Sequence, residues 1–207
     1  MMQGSATVTQ NAITLKGSAQ IVAEFFNYGI NSILYQRGVY PPEMFTTVQK
    51  YGLAILVTTE KSLQDYLEKV LMQLKEWLEA KIVHRVVLVI SATNTKETLE
   101  RWEFRILSED EITDSSKPKQ KELSEIQSEI KNVIRQIVAS VTYLPILETA
   151  CAFDLLIYTD KNAKMPKKWE DSAPLLIPDS ETVRLKSFST TIHTVDTAVC
   201  YKNTLKM

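Results

Sequence analysis

No glycine occurs after position 52, and all five glycines lie at or before it. Later turns must therefore be built from Pro, Asp, Asn and Ser, as in Asp160-Lys161-Asn162 and Pro178-Asp179-Ser180. Cysteine is almost as scarce. Cys151 and Cys200 are the only two, and they read as small buried apolar residues rather than a disulfide or a redox pair. The opening MMQGSATVTQ is polar and lacks the apolar core of a secretory signal. Two thiols without such a signal suit a reduced, intracellular setting. Charge of one sign is missing too. The formal net charge is -1 and the pI about 6.2, so no global basic field exists to hold nucleic acid or an anionic membrane. No apolar run reaches the roughly 18 residues of a membrane helix.

Catalytic patterns are also lacking. There is no Gly-rich phosphate loop followed by Lys-Ser/Thr, no HExxH and no paired CxxC. His84 sits inside a strand pattern and His193 in the tail, and each reads as a structural histidine. Cys200 and His193 could be drawn as a nucleophile pair, but nothing supplies an orienting third group. Asp154 and Asp160 read as a strand acid and a turn acid rather than a dyad. Trp77 and Trp102 read as core or strand-face residues. Lys161, Lys164, Lys167 and Lys168 cluster, yet acids flank them and only Trp169 supplies an aromatic, so a solvated surface is the better reading. No enzyme, metal site or cofactor is expected.

What is present is a regular alternation of helix and strand patterns. The 207 residues are 44% hydrophobic, enough for one domain or one domain with an appendage. Ser18, a plausible N-cap, opens a first helix carrying Ile21, Val22, Phe25, Phe26, Ile30, Ile33 and Leu34. It is apolar nearly all round, hence buried, and Gly29 inside it predicts close packing there. Gly38 and Pro41-Pro42 end it. Tyr51 to Thr58 reads as a strand. Glu60 to Ala80 reads as a second helix, with Leu63, Tyr66, Leu67, Val70, Leu71, Leu74, Trp77 and Leu78 at its period. Val83–Ile90 and Leu99–Leu107 predict a hairpin whose Arg101, Glu103 and Arg105 lie on a wet face. Residues 108–120 read as a mobile loop. A third helix follows, over roughly Lys121 to Thr142. Its apolar stripe is Ile126, Ile130, Val133, Ile134, Ile137, Val138 and Val141. At about 100° per residue, Arg135 and Gln136 lie roughly 130° from the middle of that stripe, facing solvent or a partner. The class is α+β, with helices on a mainly antiparallel sheet.

Cys151 to Tyr158 (CAFDLLIY) is apolar on both faces and reads as a strand covered on two sides near the middle of a sheet. The tail after it has no long helical period. Within it, Thr190, Ile192 and Thr194 share one face and Thr191, His193, Val195, Thr197, Val199 and Tyr201 the other. Neither face is clearly wet or dry, which predicts a weakly fixed register. By itself this pattern also suits an ordinary C-terminal hairpin.

The segments GSAQIVAEFFNYGINSILYQRGVYP, VQKYGLAILVTT, RWEF, VIRQIVASVTYLP, FDLLIYTDK, PKKW and RLKSFSTTIH together resemble a HORMA domain, collinear from about Ile13 to Tyr201. They resemble in particular the spindle-assembly-checkpoint members of that family. The resemblance implies a single domain over 13–201, with a core to 159, a mobile β-rich safety belt over 160–201, a flexible N-terminus over 1–12 and a short tail over 202–207. It implies that Phe153, Asp154, Leu155, Leu156, Ile157 and Tyr158 pair with a partner peptide added as a strand. In the open form the belt occupies that peptide edge. In the closed form it moves to the other side of the sheet and wraps across the peptide. Belt residues would include Trp169, Val183, Leu185, Phe188, Ile192, His193, Val195, Val199 and Tyr201, with Trp77 contacting the belt. Arg135, Gln136 and Tyr143 match the surface on which open and closed copies dimerise and on which a HORMA-like silencing adaptor binds. Ser172, Ser180 and Thr197 match phosphorylation positions. The implied partners are the checkpoint scaffold mitotic arrest deficient 1, the coactivator of the anaphase-promoting complex, an AAA+ ATPase that reopens the closed form, and a second copy of the chain. The implied locations are nucleus, kinetochore and cytoplasm. A translesion-polymerase accessory subunit or a meiotic axis protein would be the alternative within the family.

Overall fold

The computed structural model describes residues 13–108, 121–163, 165–167 and 169–202. The expectations for residues 1–12, 109–120, Lys164, Lys168 and 203–207 fall outside these. The first helix, α1 (Leu15–Gln36), begins earlier than its expected cap. Thr14, not Ser18, caps it, its hydroxyl accepting from the Gly17 N–H at 3.1 Å. Ser18 lies inside the first turn and is buried. Gly29 is buried, but a Cβ there would meet Phe25 at 3.7 Å and Ile137 at 3.9 Å, which is ordinary contact. The expected close approach is therefore absent.

The strand expected over 51–58 is half of a hairpin. β1 (Phe45–Lys50) pairs antiparallel with β2 (Leu53–Thr58). Their two-residue turn, Tyr51-Gly52, has positive φ at both positions, as a hairpin twisting with its strands requires. β1 escaped sequence reading because FTTVQK places Phe45 and Val48 three apart, which breaks the alternation. α2 (Lys61–Glu79) is capped by the Glu60 carboxylate, which accepts from the Leu63 N–H at 2.7 Å.

β3 (Val83–Ala92) and β4 (Thr98–Ser108) form the expected hairpin. α3 (Leu123–Ala139) is shorter than expected and ends in a single 3-10 turn over 140–142. Val141 falls in that turn and is 44% exposed, and Val138, still within α3, lies off the buried stripe at 40% exposure. β5 (Cys151–Thr159), β6 (Ser180–Arg184), β7 (Phe188–Ser189) and β8 (His193–Lys202) complete the chain. The large sheet runs β5-β3-β4-β8-β6, with β7 also on β8, and each described pairing is antiparallel.

Two expectations fail on this sheet. β5 is its edge strand, and every residue in it is at least partly accessible. Its two apolar faces come from helices on one side and later chain on the other, not from flanking strands. β8 has a definite inside. His193, Val195, Thr197 and Val199 are buried, while Asp196 between them is exposed. A one-residue slip would bury Asp196 and expose two valines, so register here is strongly fixed.

The helices cover one face of the sheet. Phe25, Phe26 and Phe104 make edge-to-face ring contacts in that core, and Phe188 of β7 joins Phe25 at 4.7 Å. Arg37, just after α1, forms a buried two-pronged pair with Glu100 of β4 and also donates to the Pro145 carbonyl. This ties the end of α1 to the connection that leads into β5. The opposite face is not wet as expected. Val87 and Val89 point away from the helix-side core yet are fully buried, and Arg101 is only 2% exposed. Arg101 meets the segment after β5 there, donating to the Pro174 and Leu175 carbonyls.

Candidate peptide-binding edge and belt

β5 offers the chemistry of strand addition. It hydrogen-bonds β3 on one side, and among the described residues no strand pairs with its other side. An edge of this kind presents a row of N–H and C=O groups to an incoming extended chain. Phe153, Leu155 and Ile157 face the helix-side core. The Phe153 ring sits edge-on to Tyr40 at 6.2 Å and to Tyr66 at 5.9 Å. Burial raises the pKa of Tyr66, and Asp154 and Tyr40 add to it, so its hydroxyl stays protonated. Asp154, Leu156 and Tyr158 face the other way. Arg85 lies over the Tyr158 ring, 5.6 Å from its centroid.

The chain after β5 wraps this edge. Asp160 Oδ1 hydrogen-bonds His84 Nε2 at 2.6 Å, anchoring the start of the segment to β3. Trp169 packs edge-to-face against Trp77 of α2, with centroids 4.9 Å apart. Five residues later, Pro174 and Leu175 present their carbonyls to Arg101 on the opposite face of the sheet. A segment that touches α2 on one face and β4 on the other must pass around β5. A cavity of about 500 Å³ lies between them, lined by Trp77, Leu155, Ile157, Met165, Trp169 and the acids Glu170 and Asp171. The wrapping segment contributes apolar Met165 and Trp169 to the lining, together with Lys161 and the acids Asp160, Glu170 and Asp171.

The wrap is fastened on the far side. Ile177 is buried, and β6 then pairs with β8, which itself pairs with β4. Val183, at half-burial, lies opposite Val199, and the Leu185 N–H reaches the Thr197 carbonyl at 2.9 Å. Ile192 is half-buried in the turn into β8. A buried polar cluster joins the belt to α1. The Ser18 hydroxyl lies 2.5 Å from that of Thr190 and 2.7 Å from His193 Nδ1. The Thr190 hydroxyl also accepts from the His193 N–H at 3.0 Å. Burial depresses the His193 pKa. The Leu78 backbone works against that shift and Lys81 with it. Tyr201 hydrogen-bonds Glu181 at 2.9 Å, which raises its pKa.

The remaining expected residues separate. Arg135 is exposed beside an apolar hollow that includes Leu53, Leu56 and Val138, and Tyr143 is 43% exposed with its pKa raised by burial. Gln136 is different: its side-chain oxygen accepts from the Lys186 N–H of the belt. Ser172 and Ser180 are exposed, whereas Thr197 is 3% exposed, so a phosphoryl group has no room on it in this arrangement. His193 and Cys200 lie seven residues apart on β8 and so on opposite faces of the sheet, which removes the nucleophile pair. Asp154 and Asp160, six residues apart along extended chain, are not brought together.

Sequence reasoning missed Arg101, Ser18 and Thr190 as belt contacts. Arg101 sat on a strand face expected to be wet, and Ser18 was taken by a capping rule. Only the local strand pattern of β4 was legible, not what covers it.

Known proteins share this architecture. The HORMA-domain family model matches residues 18–193. The human mitotic spindle assembly checkpoint protein MAD2A is 57% identical over 93% of this chain and 94% of its own. Its Dictyostelium discoideum namesake is 54% identical over 96% of this chain and 97% of its own. Among solved structures, a chain of the mitotic checkpoint complex superposes with a TM-score of 0.82 at 41% identity, covering 90% of this chain and 99% of that one. The chain belongs to the HORMA-domain family, and within it to the mitotic spindle checkpoint proteins of the mitotic-arrest-deficient-2 type.

Proposed function

We propose that this chain is a non-enzymatic checkpoint protein that entraps an extended peptide along β5 and releases it only when the segment 160–201 lets go. The carrying observation is the path of that segment: Trp169 on α2, Pro174 and Leu175 on the opposite face at β4. A strand added to β5 would lie inside that loop. The position of β8 on β4, away from β5, matches the closed of the two forms that the family resemblance implies. The partners that fit are the checkpoint scaffold mitotic arrest deficient 1 and the coactivator through which the anaphase-promoting complex is inhibited, with action at the kinetochore, in nucleus and cytoplasm. Arg135, Gln136 and Tyr143 serve as the surface for a second copy or for a HORMA-like adaptor, ahead of reopening by an AAA+ ATPase. Relatives of checkpoint name at more than half identity favour this reading over a polymerase subunit or a meiotic axis protein.

The test is removal of residues 199–207. Val199 is fully buried and pairs with Trp102 and Val183, so its loss unfastens β8. A labelled coactivator peptide should then dissociate at least tenfold faster, because the belt acts on the off-rate. Undiminished retention by the truncated chain would overturn the belt.

A further inference from the structure

We infer that Arg101 is the positioning residue that holds the belt across the sheet, by clamping two successive belt carbonyls. The inference rests on the reading of 160–201 as a belt and adds a determinant of its lifetime. Arg101 lies on β4 between Val89 of β3 and Cys200 of β8, on the face away from the helices. Its neighbours in sequence, Glu100 and Trp102, point to the opposite face, so the guanidinium cannot turn into the helix-side core. It is 2% exposed nonetheless. Its Nη1 donates to the Pro174 carbonyl and, at 3.1 Å, to the Leu175 carbonyl. Nε and Nη2 both donate to Glu103, at 3.2 and 3.0 Å. Glu103 thereby fixes the fork while the free prong faces the belt.

The belt side is shaped to meet it. Leu175 has φ of 48°, a left-handed conformation that is costly for a side chain larger than hydrogen. That backbone turn brings two consecutive carbonyls toward one guanidinium nitrogen. A planar guanidinium with several fixed donors can take both carbonyls and a carboxylate together, which an ammonium cannot do in the same geometry. In a belt lifted off this face the two carbonyls and the guanidinium all return to water. The contact thus exists only in the wrapped arrangement, and it lies upstream of the β6–β8 fastening. It does not depend on the β8 register.

The experiment measures the dissociation rate of a labelled coactivator peptide from the full chain, comparing wild type, Arg101→Met, Arg101→Lys and the chain lacking 199–207, with amide exchange of β3 and β5 read alongside. Met keeps a long apolar stem while removing the donors. From Arg101→Met the peptide should leave about tenfold faster or more, the range expected for losing charged hydrogen bonds, while β3 and β5 amides keep their protection. Arg101→Lys should fall between wild type and Arg101→Met. An unchanged rate from Arg101→Met would overturn the clamp, with the belt reading intact if the truncated chain still releases peptide faster. Loss of protection spread equally through β3 and β5 would also overturn it, by making Arg101 a general support of the sheet. A rate unchanged in both Arg101→Met and the truncated chain would overturn both readings.

Discussion

His193 shows how one side chain can make the belt's fastening sensitive to acid. Its ring is buried against Ser18 and Thr190, and burial holds its pKa below the ordinary value. Free of β4, the same ring takes up a proton near pH 6.5, its usual value. The docked form therefore binds fewer protons than the undocked form over the window below about 6.5. Belt docking keeps its full stability above about pH 7 and loses it as pH falls through that window toward the depressed value. Lys81 is the nearby cation that reinforces this, with only the Leu78 backbone opposing it. Hydrogen exchange of β8 at pH 7.5 and pH 5.5 checks the expectation. The acid-induced loosening should vanish in His193→Asn, which separates it from the titration of surface carboxylates. A wild-type β8 equally protected at both values would contradict it.

Among elements, α1 and α3 carry the informative contrasts. Gly29 costs α1 helical propensity without serving a close approach, since a Cβ would sit at ordinary contact distance from Phe25 and Ile137. Gly29→Ala should therefore raise stability by about 1 kcal/mol, read as a higher denaturant midpoint with unchanged slope. A drop in the midpoint would mean the helix packs more tightly there than these distances show. On α3, Arg135 and Gln136 are adjacent in sequence but differ in what they touch. Arg135 is exposed, whereas Gln136 accepts from the Lys186 N–H, and Glu129 two turns earlier accepts from Ser189 N–H at 3.0 Å. Arg135→Ala should weaken self-association in sedimentation experiments and leave peptide dissociation unchanged. Gln136→Ala should weaken association and also speed peptide loss several-fold, because a belt hydrogen bond goes with it. Identical behaviour of the two variants would refute the division.

On the scale of the whole molecule, the sheet is a platform with a helical face and a belt face. Chain connectivity makes the second face conditional. The belt face holds Val87, Val89 and Arg101, all buried, and Arg101 is met there by a segment that starts from the end of β5. In the proposed function, backbone pairing along β5 supplies affinity that tolerates many peptide sequences, while the encircling segment supplies residence time. Removing 199–207 should consequently raise the association rate as well as the dissociation rate, since entry no longer waits for β8 to detach. A truncated chain that gains on one rate alone would show that β8 is not the gate. The two arrangements implied for the family need differ by only a few kcal/mol for such switching.

Much of the platform was legible in the chain. α2 carries its period without interruption, and β3–β4 alternates cleanly around a polar turn. The resemblance singled out 153–158 as the implied peptide strand and 160–201 as the implied belt. Other features were invisible for physical reasons. β1 lacked alternation because its two apolar residues, Phe45 and Val48, lie on opposite faces, each of them covered only in part. β5 looked central because apolar composition records burial and not which neighbour provides it. The two-sided pattern of β8 looked indifferent to register because Thr and Ala between the valines hide which face Asp196 must avoid. The sequence alone determined the helices, the β3–β4 hairpin and the family, since these follow from local periodicity and from blocks of residues in order. Tertiary structure alone decided that the belt passes around β5, and that Arg101, Ser18 and Thr190 fasten it, because those contacts join residues 73 to 175 positions apart and leave no local pattern to read.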